Sequence, residues 1–496
     1  MEKYFNLVDE PWIPVVDVGN VSLRQLFSQP EYRALGGTPV QKIALMKLLL
    51  AIAQAAAMPD DDDAWQQTGW QGMSERCLNY LTQWHDRFWL YGDLPFLQMP
   101  AICRAEIKPY GAVLPEVSTG NTTVLSQWQM EKSLSDAQKA LLIVTLMSFA
   151  LGGKKTDNSV VLSEGYYGKS NEKGKPKTGS PGPSVAHMGL LHSFCLGEHL
   201  LQSLWLNLLT QVDVAGMTMF SGGLGTPPWE RMPEGEGCAV AGKLKQTLMG
   251  RLIPVARFCL LTDAGLHYSE GVSHLGYKEG MWDPTVAVNT GGKESKAIWV
   301  ETDRRPWRQL TSLLSFIGHD KGGAECYQLR LAVPRARHHT PTFALWSGGM
   351  RVSSNAGEQY VSGSDDMVES EIWLISSQMG ADWFAELKRQ VSNLESMAKS
   401  LYGACSGYFK SQNMDGSNFA AQTTGLFWQL CEHDFSALVI ACGSRDPTQT
   451  LPLRRRFINY AQQAYNQYCP NETARQIDAW AKHRPRLNKY LQQEVQ

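Results

Sequence analysis

The chain has 496 residues, of which 43% are hydrophobic and 19% charged, and its formal net charge is −2. That length exceeds what a single core usually serves, so two or more domains are expected. The near-neutral balance excludes a global basic field, which leaves local patches as the only route to nucleic-acid binding.

Residues 4 to 18 alternate apolar and polar, with prolines at 11 and 14, which predicts an edge strand. Ser22-Leu23-Arg24-Gln25 has the capping-box spacing of a helix start. A second helix is predicted from Pro39, with Thr38 as N-cap. Its core, Val40 to Met58, is the best transmembrane candidate, but Gln41, Lys42, Lys47 and Gln54 make it read as a buried helix. The acidic run Asp60 to Asp63 reads as a solvated connector, because consecutive carboxylates without glycine turns do not present spaced metal ligands. Residues 75 to 90 are predicted helical, Ala140 to Ala150 form an apolar helix-like stretch, and 200 to 212 read as core.

From Arg251 to Trp373 the pattern predicts short strands, with a hairpin signal at Asn289-Thr290-Gly291-Gly292. After about Gly380 four amphipathic segments follow at helical period, near 382–404, 417–442, 448–468 and 471–491. Short joints between them imply an antiparallel four-helix bundle. The expected fold is α+β: a large mixed domain over 1–378 and a C-terminal bundle over 379–496.

The ten cysteines show no CxxC spacing, which argues against a zinc knuckle and against a disulfide framework. No signal-peptide pattern opens the chain, so a cytoplasmic protein without membrane contact is expected. No catalytic constellation persuades. His192 and Cys195 sit on an apolar face, and His338 and His339 are adjacent, so they point in different directions and chelate one metal poorly. Walker, HExxH and GxSxG motifs are missing, and no catalytic residue, metal or cofactor is expected.

The most informative run is Leu151-Gly152-Gly153-Lys154-Lys155-Thr156, which opens a basic loop continuing through Lys169, Lys173, Lys175 and Lys177 to Pro183. Paired glycines let a backbone approach a ligand, and the lysines supply positive charge where a phosphate would sit. A solvated surface loop has the same composition.

Several segments together resemble the large subunit of the type I-E CRISPR surveillance complex (Cascade), the CasA family. They are Asn6 to Val15, Phe88-Trp89-Leu90 with Leu94 to Gln98, the Gly152 to Lys155 loop, Pro181 to Ser184 leading to Leu204 to Leu209, Arg305-Pro306-Trp307, Trp346 to Arg351, and the C-terminal helical pattern. The resemblance spans the whole chain and rests on the joint order of these segments.

What it implies is a non-catalytic DNA-recognition subunit. Gly152 and Gly153 match the family's glycine loop, which approaches the protospacer-adjacent motif from the minor groove, with Lys154 and Lys155 behind it. Gly348 to Arg351 match the lead into a wedge hairpin, placing Ser353, Ser354 and Asn355 at its tip; some relatives carry an amide where Ser354 stands. Lys278 lies in the region of an assisting lysine, and Leu125 and Gln127 match positions that contact guide RNA or neighbouring subunits. A cysteine cluster of some relatives is missing here. The implied partners are the other Cascade subunits, guide RNA, double-stranded target DNA and a helicase-nuclease. Two other readings stay open: a metal-dependent nuclease or hydrolase using the His-rich region, and an interaction scaffold without DNA contact.

Overall fold

The structure, a computed structural model, describes residues 3–114, 133–149, 156–157, 160, 189–289, 293–318, 324–352, 366–444 and 446–491. It is a mixture of helix and sheet, and divides into two units. The first comprises Met1–Pro306 and Ala324–Glu371, the second Trp307–Gly323 and Ile372–Gln496. A single cut between 378 and 379 therefore differs from the observed division, because Trp307–Gly323 joins the C-terminal helices.

In the first unit the helices are α1 (Leu23–Ser28), α2 (Pro39–Ala57), α3 (Asp62–Gln83), α4 (Tyr110–Val113), α5 (Asp136–Ser148) and α6 (Leu200–Asn207). They continue with α7 (Gln211–Gly216), α8 (Ala239–Leu244) and α9 (Met249–Leu252). The expected capping box at Ser22 forms, with Ser22 Oγ accepting from Gln25 N at 3.1 Å, and Thr38 caps the second helix as expected, its Oγ1 accepting from Gln41 N at 3.3 Å. Helix α2 is long and apolar enough to cross a membrane, yet 78% of that stretch is buried inside the protein. Apolar on nearly every face, it serves as the central core helix and packs against α3, α5, α6 and α9.

Among the described residues the strands form small sheets. β1 (Tyr4–Asn6) pairs with β4 (Trp89–Tyr91), and β2 (Ile13–Val15) with β3 (Gly19–Val21). The expected strand over 4–18 is thus two strands, because the Asn6 carbonyl takes the N–H groups of Asp9 and Glu10 and turns the chain. β5 (Ile107–Lys108), β8 (Leu266–Glu270) and β7 (Arg257–Leu261) lie side by side in that order, and β9 (Val288–Asn289) pairs with β10 (Lys296–Ala297) at the predicted hairpin.

Three other expectations are corrected. Asp60–Asp63 is no free connector: Asp61 caps α3 by accepting from Ala64 N at 2.9 Å, and Asp62 pairs with Arg335. Carboxylates here meet the positive end of a helix dipole. The helix placed at 75–90 begins at Asp62, bends at Gly69 (φ 58°), and ends at Gln83 before a short turn and β4. Within the supposed strand region lies α11 (Tyr327–His339), whose buried Leu329, Ala332, Val333 and Ala336 follow helical spacing.

The core of the first unit also holds charge. Lys47 of α2 and Asp283 form an ion pair whose side chains are 0% and 1% exposed. Lys47 Nζ also donates to the Arg251 carbonyl at 2.8 Å, while Asp283 Oδ1 accepts from Thr285 N at 3.0 Å and Thr285 Oγ1 at 2.7 Å. Burial opposes ionisation of Asp283, but Lys47, His192 and Thr285 together hold its carboxyl below the usual range.

The second unit is largely helical: α10 (Leu310–Leu313), α12 (Ala381–Lys410), α13 (Ser417–Ala441), α14 (Leu451–Tyr468) and α15 (Ala474–His483). Helix α12 packs against α10, α13, α14 and α15, and α13 against α14. The fourth segment stops at His483 rather than 491, since Pro485 disfavours helical geometry at the residue before it. Trp307 is 3% exposed, with its ring 4.4 Å from that of Phe435 and 5.8 Å from that of Trp428.

Candidate nucleic-acid interface

The strands β11 (Thr342–Met350) and β12 (Met367–Ile375) are neighbours in a three-stranded sheet of order β12-β11-β6, with β6 covering His192–Leu196. They form the two arms of a hairpin, and Arg351 N donating to Asp366 O at 2.7 Å extends it beyond the strand ends. The expected tip residues Ser353, Ser354 and Asn355 lie outside the described residues. Arg351 itself is partly buried, and its guanidinium reaches Thr302 Oγ1 at 3.3 Å.

The sequence does not reveal why the arms carry Gly348 and Gly349. A Cβ on Gly348 would come within 2.7 Å of the Trp346 ring and 3.0 Å of the Val368 carbonyl. One on Gly349 would meet Val300 Cγ2 at 2.7 Å and the Leu190 carbonyl at 3.0 Å. These glycines allow close packing at the root of the hairpin. The root is also tied to α2: Lys42 Nζ lies 2.8 Å from both oxygens of Glu369 on β12, and Trp346 Nε1 donates to Glu369 Oε2 at 2.8 Å.

Lys278 is exposed on the short turn Tyr277–Glu279. The neighbouring Tyr277 packs in a cluster with Leu190 and Val286, and Leu190 leads into β6. The Lys278 turn thus shares an apolar cluster with the residue that leads into β6.

Gly152, Gly153, Lys154 and Lys155 lie outside the described residues, as do Leu125 and Gln127. The flanks of the glycine loop are described. The chain leaves α5 at Phe149, which is fully buried, beside a backbone bond from Ala256 N to Met147 O of 2.9 Å. It is fixed again at Thr156, whose Oγ1 donates to Glu270 Oε1 at 3.1 Å, and at Asp157, whose N–H donates to Tyr268 O at 2.9 Å. Asp157 in turn accepts from Glu106 N at 2.7 Å. Glu270 also takes the Arg257 guanidinium at 2.9 Å; burial works against that charge, but Tyr268 and Glu270 hold its pKa above the ordinary value. The long loop expected from Leu151 is thus interrupted by a firm anchor after its glycine-lysine portion.

A further basic strip went unremarked in the sequence. Arg475, Lys482, Arg484, Arg486 and Lys489 are all exposed, and the Arg484 guanidinium stands 4.9 Å above the Trp480 ring. Five Lys and Arg against one Asp over 475–489 were legible as a local patch. Cations beside aromatic rings suit a nucleic-acid backbone and its bases.

The histidines are engaged in packing. His339 sits at the end of α11 rather than on a strand, edge-on to Trp65 at 5.2 Å, and His192 Nδ1 lies 2.7 Å from Thr285 Oγ1. Among the described residues no three His, Cys, Asp or Glu side chains are grouped to hold a metal ion.

Residues 6–467 match the family model described as CRISPR-associated protein Cse1. The chain is 30% identical over 341 residues to CRISPR-associated protein CasA/Cse1 of Thermus thermophilus, a match covering 63% of this chain and 61% of that relative. It thus spans less than two thirds of the relative's length. Among solved structures, Thermobifida fusca Cse1 superposes with a TM-score of 0.74 at 19% identity, covering 98% of each chain. The CasA structure from Thermus thermophilus gives 0.72 at 20% identity over 99% of each chain. A chain of a CRISPR RNA-guided surveillance complex gives 0.67 at 16% identity, covering 98% of this chain and 100% of that one. At these identities the structural likeness speaks for the fold.

Proposed function

Because the chain belongs to the CRISPR-associated Cse1 family, we propose that it is the non-catalytic DNA-recognition subunit of an RNA-guided surveillance complex of type I-E. It reads the protospacer-adjacent motif in duplex DNA, promotes strand separation and R-loop formation, and helps recruit a helicase-nuclease. Its partners on this reading are the other Cascade subunits, guide RNA and double-stranded target DNA, and its place is the cytoplasm. The mixed domain reads the motif and docks to the complex, and α12 to α15 close as an antiparallel four-helix bundle. Lysines at 154, 155 and 278 contact phosphates, while Gly152 and Gly153 let the backbone enter the minor groove. Leu125 and Gln127 face guide RNA or neighbouring subunits. Base pairing reads the long sequence and the protein reads the short one.

The observation that carries this reading is the hairpin of β11 and β12, tied at its root to the central helix through Lys42 and Glu369. A wedge must keep its shape while it holds base pairs apart, and opening them costs on the order of 1–2 kcal/mol per step. Replacing 353–364 by a two-residue Asn-Gly turn leaves the arms able to pair, since Arg351 and Asp366 already bond across them. The complex carrying it is expected to keep duplex binding and, relative to the intact complex, to be slowed more in opening linear targets than negatively supercoiled ones, where torsion helps. Permanganate footprinting of unpaired thymines reads this directly, and equal opening of linear DNA by shortened and intact proteins would defeat the assignment.

A further inference from the structure

In the first unit, the segments Leu94–Pro100 and Pro228–Glu234, with Arg87, line a cavity of about 280 Å³. Its floor is aromatic. Phe96 and Trp229 are 1% and 4% exposed, with rings 6.1 Å apart and 27° from parallel. Trp229 Nε1 donates to Tyr80 Oη at 2.8 Å, and that hydroxyl donates to the Glu230 carboxylate, so the floor and the charge beside it are fixed together.

The backbone around the cavity is also set in advance. Leu97 adopts φ +52°, a left-handed conformation that a leucine rarely takes. The next side chain holds it there: Gln98 Nε2 donates to Leu90 O at 2.7 Å and its Oε1 accepts from Leu261 N at 2.9 Å. Prolines occupy both walls and limit their freedom. Strain retained beside a preformed cavity is characteristic of binding surfaces.

The charges decide what fits. Glu230 and Glu234 stand on one wall, and neither Glu234 nor Arg87 makes an ion pair among the described residues. Two carboxylates repel a phosphate backbone, which sets this cavity apart from the DNA-facing elements. They attract a lysine or arginine, and Arg87 supplies donors for the carbonyl groups of an extended chain. We propose that the cavity docks an extended segment of a partner protein, with an apolar side chain on the Phe96–Trp229 floor and the adjacent Lys or Arg against Glu230 and Glu234. The proposal stands independently of DNA recognition. Apolar anchors in preformed pockets, flanked by paired charges, are the usual centre of such contacts.

Fluorescence anisotropy of the full chain with labelled nonapeptides tests it. The probe places a Leu-Lys pair between glycine and proline flanks; its controls replace Lys by Glu or Leu by Ala. Saturable binding of the Leu-Lys peptide is expected, with each control at least about tenfold weaker. Glu230→Gln with Glu234→Gln should remove the preference for Lys over Glu. Glutamine still accepts from Tyr80, so an unchanged melting temperature shows that the fold survives. Met232→Trp, which fills the cavity from its rim, should abolish binding of every peptide. Equal affinity for the Lys and Glu peptides, no saturable binding by millimolar concentration, or a charge preference that persists in the double variant would overturn the proposal.

Discussion

The two units bury charge in different ways. In the first, Lys47 and Asp283 are sealed from solvent, with the Arg251 carbonyl bonded to Lys47 and Thr285 bonded to Asp283. In the second, Arg454 is 4% exposed but its partner Glu386 is 24% exposed and stands 3.8 Å away. Gln390 completes the contact at 3.1 Å, and Glu386 also holds Arg389. A sealed pair must stay whole, because losing one member strands the other without water. A pair reached by solvent tolerates loss, since water takes the vacant place. The second unit rests its geometry instead on apolar and aromatic seating, with Trp307 against Phe435 and Trp428.

This contrast can be broken by substitution. Lys47→Met should cost about 3–5 kcal/mol, the penalty for an uncompensated buried carboxylate. Trp307→Ala should cost about 3–5 kcal/mol through the cavity it leaves. Denaturant unfolding measures both, and their rescue separates them. Adding Asp283→Asn to Lys47→Met should restore much of the loss, since Asn still accepts from Thr285; failure of that rescue would mean that the charge is not the source of the cost.

Smaller effects sharpen the difference. Gly349→Ala should destabilise by about 1–3 kcal/mol, because its Cβ meets a carbonyl that cannot move aside easily. Arg454→Met should cost roughly 1–2 kcal/mol, the value of hydrogen bonds to a group that water can still reach; a loss as large as that of Lys47→Met would erase the contrast between the units. The smallest effect is in pH. Burial, and then Arg251, push the His274 pKa down to about 3. The unfolded chain then binds the extra proton first, so stability is full above about pH 6.5 and falls as pH drops towards 3. Between pH 7 and pH 6 the loss from this residue should stay below about 1 kcal/mol, and His274→Asn should flatten that part of the profile.

Local signals made part of the fold legible. Ser22 announced its helix by a capping box and Thr38 by an N-cap before Pro39, signals written within a few residues, and the C-terminal helices carried their own period. Asp60–Asp63 misled because its helix begins inside the acidic run, and α11 because its apolar face lies among strands in sequence. Trp307 offered no sign of its seat: Phe435 lies more than a hundred residues away, and such contacts are not written locally. At the candidate interface, Gly348, Gly349 and Arg351 were picked out by resemblance, whereas their packing against Leu190, Val300 and Thr302 needed coordinates. The cavity floored by Phe96 and Trp229 joins segments that no spacing rule connects.

The detour of Trp307–Gly323 into the second unit has a consequence for synthesis. This segment leaves the ribosome well before α13, which supplies the ring neighbours of Trp307. At roughly 5–20 residues per second, the stretch from Ala324 to the end of α13 at Ala441 takes roughly 6–24 s to make. Through that interval an indole destined for burial lacks both of the rings it packs against. A hydrophobic segment is therefore made before the helix that covers it.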